Sequence, residues 1–550
     1  MTITVRNQCR LWATIRDHQF YILPEGELLG QIYCCFSDEI DRLKRAYAIE
    51  TDSPSTSLSQ GAPWHTTPSQ LLFGEDYDEI NRTLTGVLAL RWIMTDDYER
   101  FTSGQNAKGK LSPASFQWLK RYYTDHLSDP EELFCLILAI VVNDLGKDPI
   151  LSEDYFEKTN KIISQANHDT ILLEAAKEGM LPCLSYLDDT HRQDIMLGLE
   201  LGSELNAAQL AQAENVPVNL EGLLLMHGNE HAFNLKFMEQ ILDTAGAQGH
   251  IRSDGASNLT EPVFQAFKTV QEVSLSIINR QCTLRQGYDR VLTGRGAMLE
   301  AVGYKHLSVH NDEQRALLRL LTMGRTSTLS RAQLIEQAFH DLDPTHKYLL
   351  VQGLNIDGDQ DDQTAVIPYY MPAMLAEAIR NTRNSPKQVQ ALTSLMRYLA
   401  RVLVWRDTED SPDQNEIHDH HHHHINSNSN RNSNSNNNNK TWPVNDLPRR
   451  ASMTATPSNT TNPQPFSAVA NTNANVKQGR EGREGRVFER NMTKAREMIN
   501  SAAFRETPEI MDGLDPPEGH LLKRRRTVAV TATKSGRNAG GGAAADGDGW

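Results

Sequence analysis

Along residues 71–407, apolar positions recur every three or four residues, a period that predicts helices rather than strands. Ile80, Leu84, Val87, Leu88 and Trp92 share one face of a helix expected over 78–101. Ser112-Pro113 and Asp129-Pro130 read as helix starts. Each offers a side-chain acceptor at the cap, then a proline where no N–H is needed. The helix opened by Asp129 carries acids in its first turn, which suits the helix dipole. It runs into Leu133–Val142, an unbroken apolar stretch, and stops at Asn143-Asp144-Leu145-Gly146-Lys147. Further helices are expected near 153–166, 169–179, 191–202, 206–213, 220–228, 230–245, 261–279, 282–300, 311–323, 330–340 and 371–406. Strand signals are few. Residues 2–15 and 19–33 form either a short hairpin or a packed N-terminal arm. No repeat is visible. The fold class is all-α.

The pattern changes near Asp407. Asn, Ser, Thr, Gly and Pro tracts follow, with "HDHHHHHINSNSNRNSNSNNNNK" the most extreme. Such tracts bury too little apolar surface to offset the entropy of ordering, so residues 408–550 are expected to be a disordered low-complexity tail. The remaining divisions are 1–70, an irregular N-terminal arm with a Ser/Thr/Pro loop, and 71–407, the helical domain. The 550 residues carry a net charge of −15. From Thr408 onward 18 Lys and Arg stand against 17 Asp and Glu, which leaves −16 on the body. That balance gives no basic field for nucleic acid. Six cysteines show no paired metal-type spacing, and their usage fits a reducing compartment. No apolar stretch reaches the roughly 20 residues of a membrane span, and the N-terminus lacks a signal-peptide core. The expected location is cytoplasmic, nuclear or both.

The stretch "AIVVNDLGKD", Ala139–Asp148, resembles the signature of the HD-domain superfamily: an aliphatic helix, then His-Asp, then a Leu-Gly-Lys turn. Asn143 stands where that pattern has His, while Asp144, Leu145, Gly146 and Lys147 match. The resemblance implies an all-α HD-like body, Asp144 as a metal ligand, and histidines supplied from later helices. His168 with Asp169, and His227 with His231, are the candidates. The last two are four apart, the spacing by which two imidazoles on one helix meet one ion, although Gly228 lies between them. Asp243 and His250 lie further along. The ion expected is Fe, Mn or Zn, and Lys147 would face a phosphate. Two function classes follow. One is a metal-dependent phosphohydrolase acting on a small phosphorylated substrate, with a di-iron oxygenase as its variant. The other is a catalytically inactive helical protein of interaction or regulation, favoured by Asn143 and by the lack of a clear upstream histidine.

Each site residue also has a plain structural reading. Asn143-Asp144 serves as a helix end, His168-Asp169 as a helix start, and His227/His231 as surface histidines. "NIDGDQDDQTAV" alternates its acids like a calcium loop but has Asp362 and Pro368 where glycine and glutamate are needed, so it reads as a solvated acidic loop. His418 and His420–His424 would bind transition metals adventitiously. In the tail, Lys523–Arg526 reads as an import-type cluster, and the Arg pairs before Ser452 and Thr527 suit a basophilic kinase. Val487–Phe504 reads as an amphipathic helix for a protein partner. Partners are thus protein and import machinery through the tail.

Overall fold

The structure, a computed structural model, describes residue 6 and residues 9–46, 66–163, 167–358, 364–404, 486–517 and 519–523. All belong to one unit, residues 1–406 with 482–550, and residues 407–481 form a second unit outside the described residues. The class is all-α: helices pack around a core that runs from Leu11 to Met511, with one three-stranded sheet. Among the described residues no helix is long and apolar enough to cross a membrane. All six cysteines are free.

The N-terminal arm is packed, and it is helical rather than a hairpin. Its helices are Arg10–Arg16, Glu25–Cys35 and Ser37–Leu43. Leu11, Trp12 and Ile15, then Leu28, Leu29 and Ile32, are buried at helical spacing, and that period overrides the local strand propensity.

Two helices form the centre, Asp78–Met94 and Glu230–Gly246, and they cross with their backbones in contact. A Cβ added to Gly86 would lie 2.9 Å from the Leu242 carbonyl oxygen, and one added to Gly246 would lie 2.2 Å from that of Arg82. Only glycine permits that approach. The Pro130–Val142 helix packs on both and is buried from Leu133 to Val142. Its cap is as expected: the Asp129 side chain accepts from Glu131 N–H at 2.9 Å.

Elsewhere the expected helices are present with shifted ends. The 371–406 helix is two, Met371–Asn381 and Gln388–Val404, broken at Asn384 (φ 63°) before Ser385-Pro386, because proline disfavours helix at the residue ahead of it. Residues 220–228 lie largely within a 3-10 helix, Pro217–Met226. Pro344–Asn355 is a helix without a sequence expectation.

The largest departure lies in the tail. β1 (Ala365–Tyr369) pairs in parallel with β2 (Arg486–Asn491), which pairs antiparallel with β3 (Gly519–Lys523). Between β2 and β3 lie the helices Thr493–Asn500 and Ala502–Glu506. Val487, Met492, Ala495, Ile499, Phe504 and Met511 are buried. Arg496 donates twice to Glu377 Oε1, at 2.8 and 2.7 Å, and Arg397 forks onto Asp512 at 3.0 and 2.8 Å. The expectation of one tail from residue 408 is therefore corrected for 486–523. This segment carries an apolar stripe at helical spacing and so has surface to bury. The Val487–Phe504 stretch is a strand followed by helices, and the surface it docks on belongs to its own chain. The His tract, Ser452 and Arg524–Thr527 lie outside the described residues.

Ile499 is fully buried. Ile499→Ala is expected to cost about 2–5 kcal/mol in urea unfolding, the range for an aliphatic core truncation. A loss near zero would show that the segment does not belong to the folded body.

Candidate functional site

The Pro130 helix ends at Val142, with Asn143 at its cap, and the 3-10 turn Leu145–Lys147 folds Lys147 back over Asp144. Lys147 Nζ lies 2.9 Å from Asp144 Oδ1 and 2.7 Å from Glu79 Oε1. Glu79 is wholly buried, Asp144 is 5 % exposed, and Arg82 Nη1 stands 3.4 Å from the same Glu79 oxygen. Beside them Lys236 donates to Asn143 Oδ1 at 3.0 Å and pairs with Glu239 at 2.6 Å. The helix crossing at Gly86 and Gly246 holds these charges together, since Glu79 and Arg82 come from one helix, and Lys236, Glu239 and Asp243 from the other.

The charges set one another's protonation. Burial pushes Asp144 up, but Lys147 and Arg82 pull it down to about 2. Burial pulls Lys147 down, and Asp144 with Glu79 holds it above the ordinary lysine value. Asp243 is pushed up to about 6 by burial and by Asp144. Glu239 is pushed up to about 7 by burial, which Lys236 only partly offsets.

Arg82 and Lys147 of this cluster, with Gly146 between the turn and the next wall, line a cavity of about 680 Å³. Gly146 is pressed against the next wall: a Cβ there would lie 1.8 Å from the His168 carbonyl oxygen. That wall carries Asn167, His168 and Asp169. Glu204, Asn206, Gln209, Glu214 and Asn215 line the side, with Tyr369, Tyr370, Glu489 and Asn491 from β1 and the returning β2.

The five proposed metal ligands are not brought to one point. Asp144 is paired with Lys147. His168 and Asp169 open a helix capped by Asn167, whose side chain accepts from Thr170 N–H at 2.8 Å, and both line the cavity. His168 lies close enough to Asp144 to lower its pKa. His227 and His231 do not share a helix. Gly228, at φ 81°, separates them, and His227 Nδ1 hydrogen-bonds the Ile278 carbonyl at 3.0 Å. His231 instead bridges Glu132 and Asp194, at 2.8 Å each. Among the described residues no group of three or more His, Cys, Asp or Glu side chains is placed to hold a metal ion. The donor set at Asp144 does not fit one either, because an ammonium lies between its carboxylates. In the acidic loop, Asp357 receives Arg285 at 2.6 Å, and residues 359–363 lie outside the described residues.

Sequence reasoning missed Glu79, Arg82, Lys236 and Glu239. Their signal was charge at helical spacing within otherwise apolar helices. It also missed Tyr370, an aromatic residue at φ 71°.

Two outcomes follow from these charges. Lys147→Met leaves two buried carboxylates short of a cation and is expected to cost about 3–5 kcal/mol in chemical denaturation. A loss below about 1 kcal/mol, the worth of an exposed pair, would mean that the ammonium is not buried in solution. The second outcome concerns His191 and His231. Hydrogen bonding to Glu132, with Asp188 and Asp194 respectively, raises both imidazoles from 6.5 to about 9. Folding therefore takes up protons. This stabilisation is complete below pH 6.5 and is lost as the pH rises through about 9. The double variant His191→Gln/His231→Gln should show a flatter stability profile across that window, measured by urea midpoints. An unchanged slope would remove these histidines from the account.

A family model, family of unknown function (DUF6829), matches residues 29–434. No curated protein and no solved structure matches the chain. The matched region takes in the Asp144–Lys147 turn, both central helices and most of the cavity wall, more than half the sequence, and so the chain belongs to the DUF6829 family.

Proposed function

We propose that this chain is a ligand-binding regulatory protein whose HD-like helical body is catalytically inactive. The observation that carries the reading is Lys147 Nζ between Glu79 and Asp144, at 2.7 and 2.9 Å. On the HD-like reading Asp144 would bind a metal ion, and here its carboxylate is paired with Lys147. A metal ion would leave a coordination position open to polarise water. A fixed ammonium neutralises the carboxylates and activates nothing. What remains is a cavity of mixed polar and apolar lining within the size range of small-molecule sites. Neither a hydrolase nor a di-iron oxygenase is proposed, because both need an ion, and among the described residues no group of three or more His, Cys, Asp or Glu side chains is placed to hold one.

The test is metal content by elemental mass spectrometry on the full chain, with His418 and His420–His424 replaced by Asn, beside the same chain carrying Asp144→Ala. Truncation at residue 407 is unsuitable because it removes Ile499 and Phe504 from the core. The expected result is no stoichiometric metal in either protein. Stoichiometric Fe, Mn or Zn that disappears with Asp144→Ala would overturn the reading and restore the hydrolase.

A further inference from the structure

The cysteines of the N-terminal arm differ from those of the core. Cys135 and Cys183 are wholly buried, and burial pushes both thiols up. A protonated, enclosed thiol is inert. Cys9 is only half-buried, and Cys35 behind it is 8 % exposed.

The packing of the arm brings Cys9 and Cys35 together. The helices Arg10–Arg16 and Glu25–Cys35 lie against each other, and the Thr14 hydroxyl donates to Gln31 Oε1 between them at 2.7 Å. Five residues back from Thr14 is Cys9, and four forward from Gln31 is Cys35. The chain reverses over residues 17–24, so both steps lead the same way along the seam. At its end the Cys9 and Cys35 side chains hydrogen-bond each other. Cys9 is held from the other side as well. Its N–H donates to the Arg6 carbonyl at 2.9 Å. The Arg6 guanidinium forks onto Glu131 and lies 4.2 Å from the centre of the Trp12 ring.

The pair divides its protons unequally. The bond from Cys35, with backbone bonds at Trp12 and Leu11, lowers Cys9 to about 6 against the opposing effect of burial. The same bond, together with burial, raises Cys35. Cys9 therefore carries the thiolate, the nucleophilic form, and Cys35 keeps its proton beside it. An accessible thiolate with a second cysteine in reach is the arrangement of an attacking and a resolving thiol.

We propose that Cys9 and Cys35 form a redox site, which a hydroperoxide oxidises to a reversible disulfide within the N-terminal arm. With hydrogen peroxide, the Cys9 thiolate attacks one oxygen. An S–O bond forms, the O–O bond breaks, and the departing hydroxide takes a proton from solvent to become water. Cys35 then releases its proton and attacks the Cys9 sulfur. The S–S bond forms, the S–O bond breaks, and the second hydroxide leaves with that proton as water. Two thiols are oxidised and one peroxide is reduced to two waters. The site is independent of the cavity and of the metal measurement.

The experiment treats the reduced full chain with stoichiometric hydrogen peroxide, blocks free thiols with iodoacetamide and maps tryptic peptides by mass spectrometry without reduction. Trypsin cuts after Arg6, Arg10, Arg16 and Arg42, which places Cys9 and Cys35 on separate peptides, 7–10 and 17–42. The expected result is a link between these two peptides and the loss of two of the six thiols, both reversed by dithiothreitol. The link should persist in Cys34→Ser, which removes the exposed neighbour, and be absent from Cys9→Ser and Cys35→Ser. The proposal is overturned by a wild-type map without this link, by a link from Cys35 to Cys34 or Cys183 in its place, or by a link formed only between two chains, seen as a dimer on a non-reducing gel. The wild-type map decides without any variant, so a substitution that impairs folding does not obscure the outcome.

Discussion

A lysine ammonium buried among carboxylates is the constraint on which this body turns. Burial alone would strip Lys147 of its proton, and Glu79 and Asp144 would each be costly on their own. Together they are tolerable, but only at hydrogen-bond distance. That requirement reaches into the backbone. The 3-10 turn must bring residue 147 back over residue 144. Gly146 must lie flat against the His168 carbonyl. The Asp78 and Glu230 helices must cross closely enough at Gly86 and Gly246 to share one set of charges. Three separated parts of the sequence are thus tied to one electrostatic cluster, in the middle of a core that is otherwise apolar.

On the proposed reading, the same cluster separates binding from catalysis. An exchangeable ion in this place carries open coordination positions and can lower the pKa of bound water. A covalently attached ammonium has the charge without those positions. The raised Asp243 and Glu239, at about 6 and 7, reflect the remaining strain of packing four acids beside three bases. Buried charge is weak evidence for stability but is often retained for specificity of packing. Here it fixes how the helix end, the turn and the cavity floor meet.

Much of the helical body was legible because its information is local. Asp129-Pro130, Ser112-Pro113 and Asn167 act as the caps that their side chains suggest, and Leu133–Val142 is buried throughout as its composition implies. The helix stop at Asn143-Asp144 was equally visible. What it was for was not, because its partners Glu79 and Arg82 lie far earlier in the chain and Lys236 and Glu239 far later. No spacing rule links such positions. Residues 227 and 231 show the opposite failure. Their separation of four suits one helix, but a single left-handed glycine between them cancels the period. In the N-terminal arm, apolar and β-branched residues suggested strands where helical spacing in fact prevails.

The C-terminal segment shows why composition misleads when averaged over a long window. Asn, His and Gly tracts dominate residues after 407, yet Val487, Met492, Ala495 and Ile499 hold an apolar pattern within them. That short pattern cannot fold alone, since an isolated strand and two short helices bury too little. It becomes stable only on a surface prepared by β1 and the Met371 and Gln388 helices. Docking then adds Glu489 and Asn491 to a cavity also lined by Arg82, Gly146 and Lys147. The cavity is consequently a property of the whole folded unit. A ligand touching both the turn that closes the Pro130 helix and the strand that arrives from beyond residue 485 would link its own binding to the docking of that strand.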